Sequence, residues 1–321
     1  MAANVQTMMY VGETPWHKLG IQLDKEVSSA EAINAAGLNW IVNKKQLVLQ
    51  EDPSVIIPSR FATVRADNNQ VLGVVGGEYT VLQNADAFRF CDALVGEAAA
   101  MYHTAGALGN GEIIWILAKL PKTIKLKNDD DIENYLLFSH RHDGKQRVRV
   151  MFTPIRVVCQ NTLNQAINNN KNTAFIKHTR TMGLKLQDTR DQLGILYKQI
   201  DVFEELSNKM AEKQIKVATL KDYLGKLNLA TELLDGDSAE FIAKQTRRAE
   251  TEETVTSLFE FGPGAMLKSA KGTVWGAYNA VTRFVDYDKD MRSDDRSKSL
   301  LFGGGALLKT RAWQEAINLL N

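Results

Sequence analysis

"TPIRVVCQNTLNQAI", residues 153–167, is the stretch on which the fold reading turns. It sets one arginine, two asparagines and two glutamines among apolar residues. As a helix, Thr153 caps it and Pro154 takes the first helical position, where a missing N–H costs nothing. At about 100° per residue, Ile155, Val158, Cys159, Thr162, Leu163 and Ala166 then share one face. Arg156, Gln160, Asn164 and Asn168 form a stripe on the other, with Asn161 and Gln165 beside it. As a strand, Arg156, Val158 and Gln160 would line one face and the proline would be wasted. The helix is the reading taken. Its polar face is amide-rich, whereas a merely solvated helix face is normally Lys and Glu. Amides both donate and accept, which suits fixed hydrogen bonds to bases, sugars, phosphates or a neighbouring backbone. The plainer alternative is that Gln160 and Asn161 pin adjacent loops of the same chain.

The surroundings of this stretch are basic. Between Ser139 and Arg190 stand ten Lys or Arg, at 141, 145, 147, 149, 156, 171, 177, 180, 185 and 190, against Asp143 and Asp188 alone. The 321-residue chain as a whole carries a net charge of only +1. Such a local excess is the usual footprint of a polyanion site. Arg147 and Arg149 alternate along an expected strand and so share a face. Tyr135, Phe138, Phe152 and Phe175 interleave with the window; aromatics at strand spacing usually belong to the core, and one or two left exposed would give bases a stacking platform. The competing reading balances this positive surface against Glu204, Glu205, Glu250, Glu252 and Glu253 of the second half.

Working outward, Ser28 and Glu31 form a capping box ahead of "AEAINAAGL", a helix closed by Gly37. "PWHKLG" at 15–20 reads as a turn and "NWIVNKKQLVLQ" as a strand or a bent pair of strands. Three hairpins follow: one around "DNNQ" at 67–70, one around "GNG" at 109–111, and one around Asp143-Gly144. Asn84 is placed to cap the helix "ADAFRFCDALVGEA". The acidic run "LKNDDDIE" at 126–133 reads as a solvated loop. From about 182 onward the pattern is helical: Leu193, Leu196, Tyr197, Ile200, Phe203 and Leu206 recur at helical spacing. "LKDYLGKLNL", "SAEFIAKQTRRAE", "GTVWGAYNAVTRFVDYD" and "ALLKTRAWQEAINLL" continue it, with "FGGGA" at 302–306 as a turn before the last helix. The expected fold is α+β: an antiparallel, hairpin-rich sheet packed with helices over 1–180, then a mainly helical region over 181–321.

Composition bounds the function. Hydrophobic residues at 44% and charged residues at 24% are ordinary for a soluble globular protein. No apolar run approaches the roughly 20 residues of a membrane span, and the N-terminus lacks the pattern of a secretory leader. Cys91 and Cys159 make neither a disulfide framework nor a zinc site, so a reducing cytoplasm is expected. "GALGNG" and "LFGGGALLK" lack the Walker pattern. Cys159 with His178 could suggest a thiol nucleophile, but Cys159 falls on the apolar helix face, and His17 fits a local turn. The one candidate metal set is His140, His142 and Asp143, in "SHRHDGK". No catalytic constellation and no cofactor emerge.

"PWHKLG", "YTVLQNADAFRFCDAL", "AGALGNGEIIWILAKL", "TPIRVVCQNTLNQAI" followed by "IKHT", and "KGTVWGAYNAVTRFVDY" together resemble a family of phage- and plasmid-encoded proteins described only as a domain of unknown function. More distantly, a hairpin-rich sheet followed by a helix with a basic groove is similar to Rad52-like single-strand annealing proteins. That second resemblance implies ring or filament assembly and strand holding without nucleotide hydrolysis.

The expectation is therefore a phage- or plasmid-type protein of the host cytoplasm. It would bind single-stranded DNA and promote annealing in recombination or replication, as a homo-oligomer. Arg141, Lys145, Arg147, Arg149, Arg156, Lys171, Lys177 and Arg180 would supply charge, and Gln160, Asn161 and Asn164 directional hydrogen bonds. A metal-dependent nuclease using His140, His142 and Asp143 is the first alternative. A host-interaction or anti-defence protein whose basic groove binds an acidic partner is the second.

Overall fold

The computed structural model describes residues 5–12, 19–95, 101–156, 161–162, 173–180, 190–227, 239–289, 299–300 and 303–321. Two sheets are built in chain order. Strands β1 (Val5–Val11), β2 (Ile21–Leu23), β6 (Met101–Leu108), β7 (Ile113–Leu126), β8 (Asp130–Arg141), β9 (Val148–Arg156), β10 (Asn161–Thr162) and β11 (Thr173–Ile176) form the larger one. Its order is β10-β9-β8-β7-β6-β1-β2, with β11 also paired to β9; every pairing is antiparallel except β1 with β2. Strands β3 (Val42–Val48), β4 (Ile56–Arg65) and β5 (Val71–Gly76) make an antiparallel three-stranded sheet. Helices α1 (Ser29–Ala35) and α2 (Asn84–Val95) lie between strands in sequence. The second half holds α3 (Arg190–Glu212), α4 (Val217–Lys226), α5 (Ala239–Phe261), α6 (Val274–Arg283) and α7 (Gly304–Asn318). The α+β expectation, sheet first and helices after, is what the chain adopts.

Period-two alternation with both faces buried explains the larger sheet. On β7, Ile114, Ile116 and Ala118 enter one core while Ile113, Trp115 and Leu117 enter another. On β9, Val148, Val150 and Phe152 join the first, Met151 and Ile155 the second. The first core is continuous with α1, α2 and the helical half, through Ala36, Phe88, Phe203, Trp275 and Trp313. At its centre α6 is buried all round: each of Val274–Thr282 is buried. Apart from Asn279 and Thr282, whose side chains bond back to carbonyls of the same helix, the circumference of that stretch is apolar or aromatic, as in a helix surrounded by protein.

The helix reading of 153–167 is overturned at its start. Thr153, Pro154, Ile155 and Arg156 continue β9, and Asn161–Thr162 pairs back on Arg156 and Ile155. Pro154 lies opposite Asn134 of β8. On the other side of β9, β11 ends its register at Met151 and β10 begins at Ile155. Proline thus sits where, among the described residues, the outer side of the ladder has no partner, which is where a sheet tolerates it. Asn161 lies opposite Arg156 on the returning strand, while Gln160, Asn164 and Asn168 of the expected stripe lie outside the described residues.

Turn chemistry otherwise follows the residues. Ser28 and Glu31 make the capping box, and Gly37 takes φ 62°. Gly109, Gly111 and Gly144 take the positive φ that their hairpins require. Three further readings need correction. The acidic run at 126–133 is no solvated loop but the β7–β8 hairpin, with Lys127 and Asn128 both at positive φ. Asp130 within it is fully buried and accepts from Ser269 Oγ and Trp275 Nε1, each at 2.9 Å. Asn84 does not cap: it is the first residue of α2, and its side chain donates to Leu38 O at 2.9 Å and faces His142. Gly304 and Gly305, expected in a turn, form the first turn of α7.

The two sheets meet at the β8–β9 turn. Thr63 Oγ1 of β4 donates to His142 O at 2.8 Å. On β5, a Cβ added to Gly73 would lie 2.5 Å from Asp143 Cα and 2.8 Å from its Cβ. Backbone cannot yield that far, so Gly73→Ala is expected to displace the turn and cost about 1–3 kcal/mol. A urea midpoint unchanged from the parent chain would show that the two sheets are not pressed together there.

Candidate nucleic-acid interface

The basic residues fall into three sets once folded. The first is neutralised in place. Arg141, at the end of β8, is mostly buried and grips Asp143 with two nitrogens, Nε at 2.9 Å. The Arg141 guanidinium helps hold the Asp143 carboxyl below its usual range against the opposing effect of burial. Arg149 also leaves the interface: it is half-buried on β9, and burial pushes its guanidinium pKa down. The expected Arg147–Arg149 pair on one open face is therefore only half realised.

The second set converges. Lys145 in the β8–β9 turn, Arg147 at the entry to β9, and Lys177 and Arg180 beyond β11 are all exposed. The β9–β11 register ends with Ile176 opposite Val148, and Arg147 and Lys177 are the next residues of the chain beyond that last pair. Segment 77–80 locks this corner. Tyr79 stacks on His178 at 4.8 Å and donates from its hydroxyl to Arg141 O at 2.8 Å. Thr80 N–H donates to His178 O at 3.0 Å. The nearest counter-charges are weak: Glu78 lies 3.9 Å from Arg180, both 82% exposed, and Asp143 lies 4.0 Å from the Lys145 ammonium. No described strand pairs with the outer edge of β11. Four exposed cations thus stand where β8 turns into β9 and where the chain leaves β11, at one end of the β9–β11 pair. Sequence spacing pointed to each of them; the strand register shows that Arg147 and Lys177 adjoin the same last β9–β11 pair.

The third set lies outside the described residues. Gln160, Asn164 and Lys171 belong to it, as do Cys159 and His17, and of Arg156 and Asn161 only the backbone is described. Of the interleaved aromatics, Tyr135, Phe138 and Phe152 are core residues, and the Phe175 side chain lies outside the described residues. The suggested metal set also separates, because the Asp143 carboxylate is committed to Arg141 while His140 and His142 turn inward. Among the described residues, no helix is long and apolar enough to cross a membrane.

No curated protein and no solved structure matches this chain. Residues 71–301 match DUF932, a domain of unknown function. The match takes in β5 to β11, the whole cationic edge, and the helical half as far as the approach to α7. The chain belongs to the DUF932 family.

Proposed function

We propose that this chain binds single-stranded DNA along its β9–β11 edge and holds it for annealing to a complementary strand. The supporting observation is the convergence of Lys145, Arg147, Lys177 and Arg180, all exposed, on that edge. Such a row draws in a polyanion and releases its counterions. Phosphate contacts position a strand without reading it, so the bases stay free to pair. Binding of this kind requires no nucleotide hydrolysis. Assembly of several copies, a cytoplasmic location and a phage or plasmid setting belong to the same proposal.

The test is a titration of a labelled oligonucleotide, single-stranded and as duplex, between about 50 and 200 mM salt. The expected result is tighter binding of the single strand, with log K falling against log salt at a slope of about −2.8 for four phosphates. Complementary strands should anneal faster in its presence. Binding that ignores salt, or no binding at the lowest salt, overturns the reading.

A further inference from the structure

The two sheets, α2 and segment 77–80 meet around three buried histidines. His140 is next to last in β8, His142 follows that strand, and His178 follows β11. The rings of His140 and His142 are 4.6 Å apart between centroids, those of His140 and His178 6.1 Å. Every element of the junction touches this cluster. The His142 carbonyl accepts from Thr63 of β4, and the His142 ring lies 5.4 Å from that of Trp40, just ahead of β3. His142 Nε2 lies 3.0 Å from Asn84 Oδ1 of α2, which accepts from it, because the Asn84 amide nitrogen is directed at Leu38 O. His178 Nδ1 donates to Thr80 O at 3.3 Å, and its ring stacks on Tyr79.

This environment accepts neutral rings and opposes a proton on them. Neither His142 Nδ1 nor His178 Nε2 has a hydrogen-bond partner, and His140 has none at either nitrogen, although all four atoms are buried. A charge at such a nitrogen would be desolvated and unpaired. Among the described residues, the ionisable groups facing the cluster are Asp143, Arg141, Arg65 and Tyr79. The Asp143 carboxylate is gripped by Arg141, and Arg65 lies over the Trp40 ring with its charge on Asp67. The Tyr79 hydroxyl donates to Arg141 O. On α2, Asp86 and Arg89 pair with each other at the surface, and Asp92 accepts from Tyr102. Each of these carboxylates thus already has a partner. Burial, first among the causes, holds all three imidazole pKa values below the ordinary one, that of His142 at about 3. The junction is therefore at full strength above about pH 6.5 and weakens progressively as pH falls toward the folded values.

We propose that His140, His142 and His178 form an acid-sensitive latch: protonated, they part the three-stranded sheet and segment 77–80 from the β8–β9 turn, while the centre of the larger sheet stays folded. An imidazolium requires water or a carboxylate, and water is close at hand, since Glu78, Lys145 and Lys177 around the junction are exposed. Charged rings at the His140–His142 separation also repel one another. The centre of the larger sheet is held by its backbone ladders and two apolar cores, which these protons leave alone. Opening of one unit ahead of the whole is ordinary where the two differ in stability. Histidine is the side chain whose charge changes in this range of pH. This inference does not rest on DNA binding.

The test is hydrogen exchange of the intact chain without DNA, read peptide by peptide at about pH 7.5 and about pH 5.5, with each rate corrected for its intrinsic pH dependence. Over that interval, each ring that stays neutral in the closed form raises the opening constant about tenfold, given an ordinary value near 6.5. His140 and His142 together should thus cost the junction about 100-fold in protection, and His178 adds to it. The loss is expected in peptides containing the Thr80 and His142 amides, which bond to His178 O and Glu112 O. Peptides of β6 and β7 should keep their protection. His140→Leu replaces a ring that makes no hydrogen bond. It should leave protection at the higher pH unchanged or raised, and make the acid loss about tenfold smaller. Junction protection that ignores pH, or an equal acid loss in His140→Leu, overturns the proposal. Should that variant not fold, the parent's own map decides: acid that deprotects β6 and β7 together with the junction overturns the latch.

Discussion

Lys309→Ala is expected to remove about 3–5 kcal/mol of stability, a large share of the roughly 5–15 kcal/mol that a folded domain holds. Lys309 lies on α7 and is wholly buried, with its ammonium 2.7 Å from Asp286 Oδ1. Asp286 belongs to a π-helical turn, Phe284–Asp288, that continues α6. Truncating the lysine leaves a carboxylate in a protein interior without the cation that compensates its desolvation. The loss should appear as a lower urea midpoint at unchanged slope. The Lys309→Met, Asp286→Leu pair should recover most of it, since a buried ion pair and an apolar pair of similar volume are often near equal. A loss below about 1 kcal/mol in the single variant would mean that water reaches Asp286.

Replacing Lys145, Arg147, Lys177 and Arg180 together by alanine is expected to flatten the salt slope for single-stranded DNA by about 2.8, at roughly 0.7 per phosphate. The same relation makes binding at about 0.1 M salt several hundred-fold weaker, taking 1 M as reference. All four are exposed, so the melting temperature should hardly move. Lys216→Ala with Lys221→Ala is the control: these cations are equally exposed but flank and occupy α4, and the slope should not change. If the four-residue variant and the control behave alike, the edge is not the binding surface.

Much of the architecture was legible because it is local. The Ser28–Glu31 box, the glycines at hairpin tips and the 3.6-residue spacing of α3 each declare themselves within a few residues. The stretch at 153–167 misled for a physical reason. A strand buried on both faces loses the apolar–polar alternation that identifies it, and its apolar run can be wrapped onto a helix. The proline then favoured the helix start, although a gap in the outer ladder accommodates it equally well. Strand β1 went unseen on the same ground: Met9 faces one core, Met8 and Tyr10 the other. Asp130 and Asn84 were misplaced because their partners, Trp275 and His142, are remote in sequence. At the interface the charged window was visible as composition. Which cations are spent internally, as Arg141 is on Asp143, became clear only from the packing.

The β7–β8 turn also constrains how the chain is made. Asp129 Oδ2 accepts from the Lys268 backbone at 2.7 Å, and Asp130 from Ser269 and Trp275. The hairpin that begins the centre of the sheet is therefore finished by residues translated some 140 positions later. While the ribosome is still reading the helical half, the first face of the sheet stands uncovered and the Asp130 carboxylate lacks its donors. Ordering this late is slow and exposes sticky surface. A chain released early, for instance after Arg180, is expected to aggregate or be degraded, so that a cell accumulates the finished molecule and little of any shortened form.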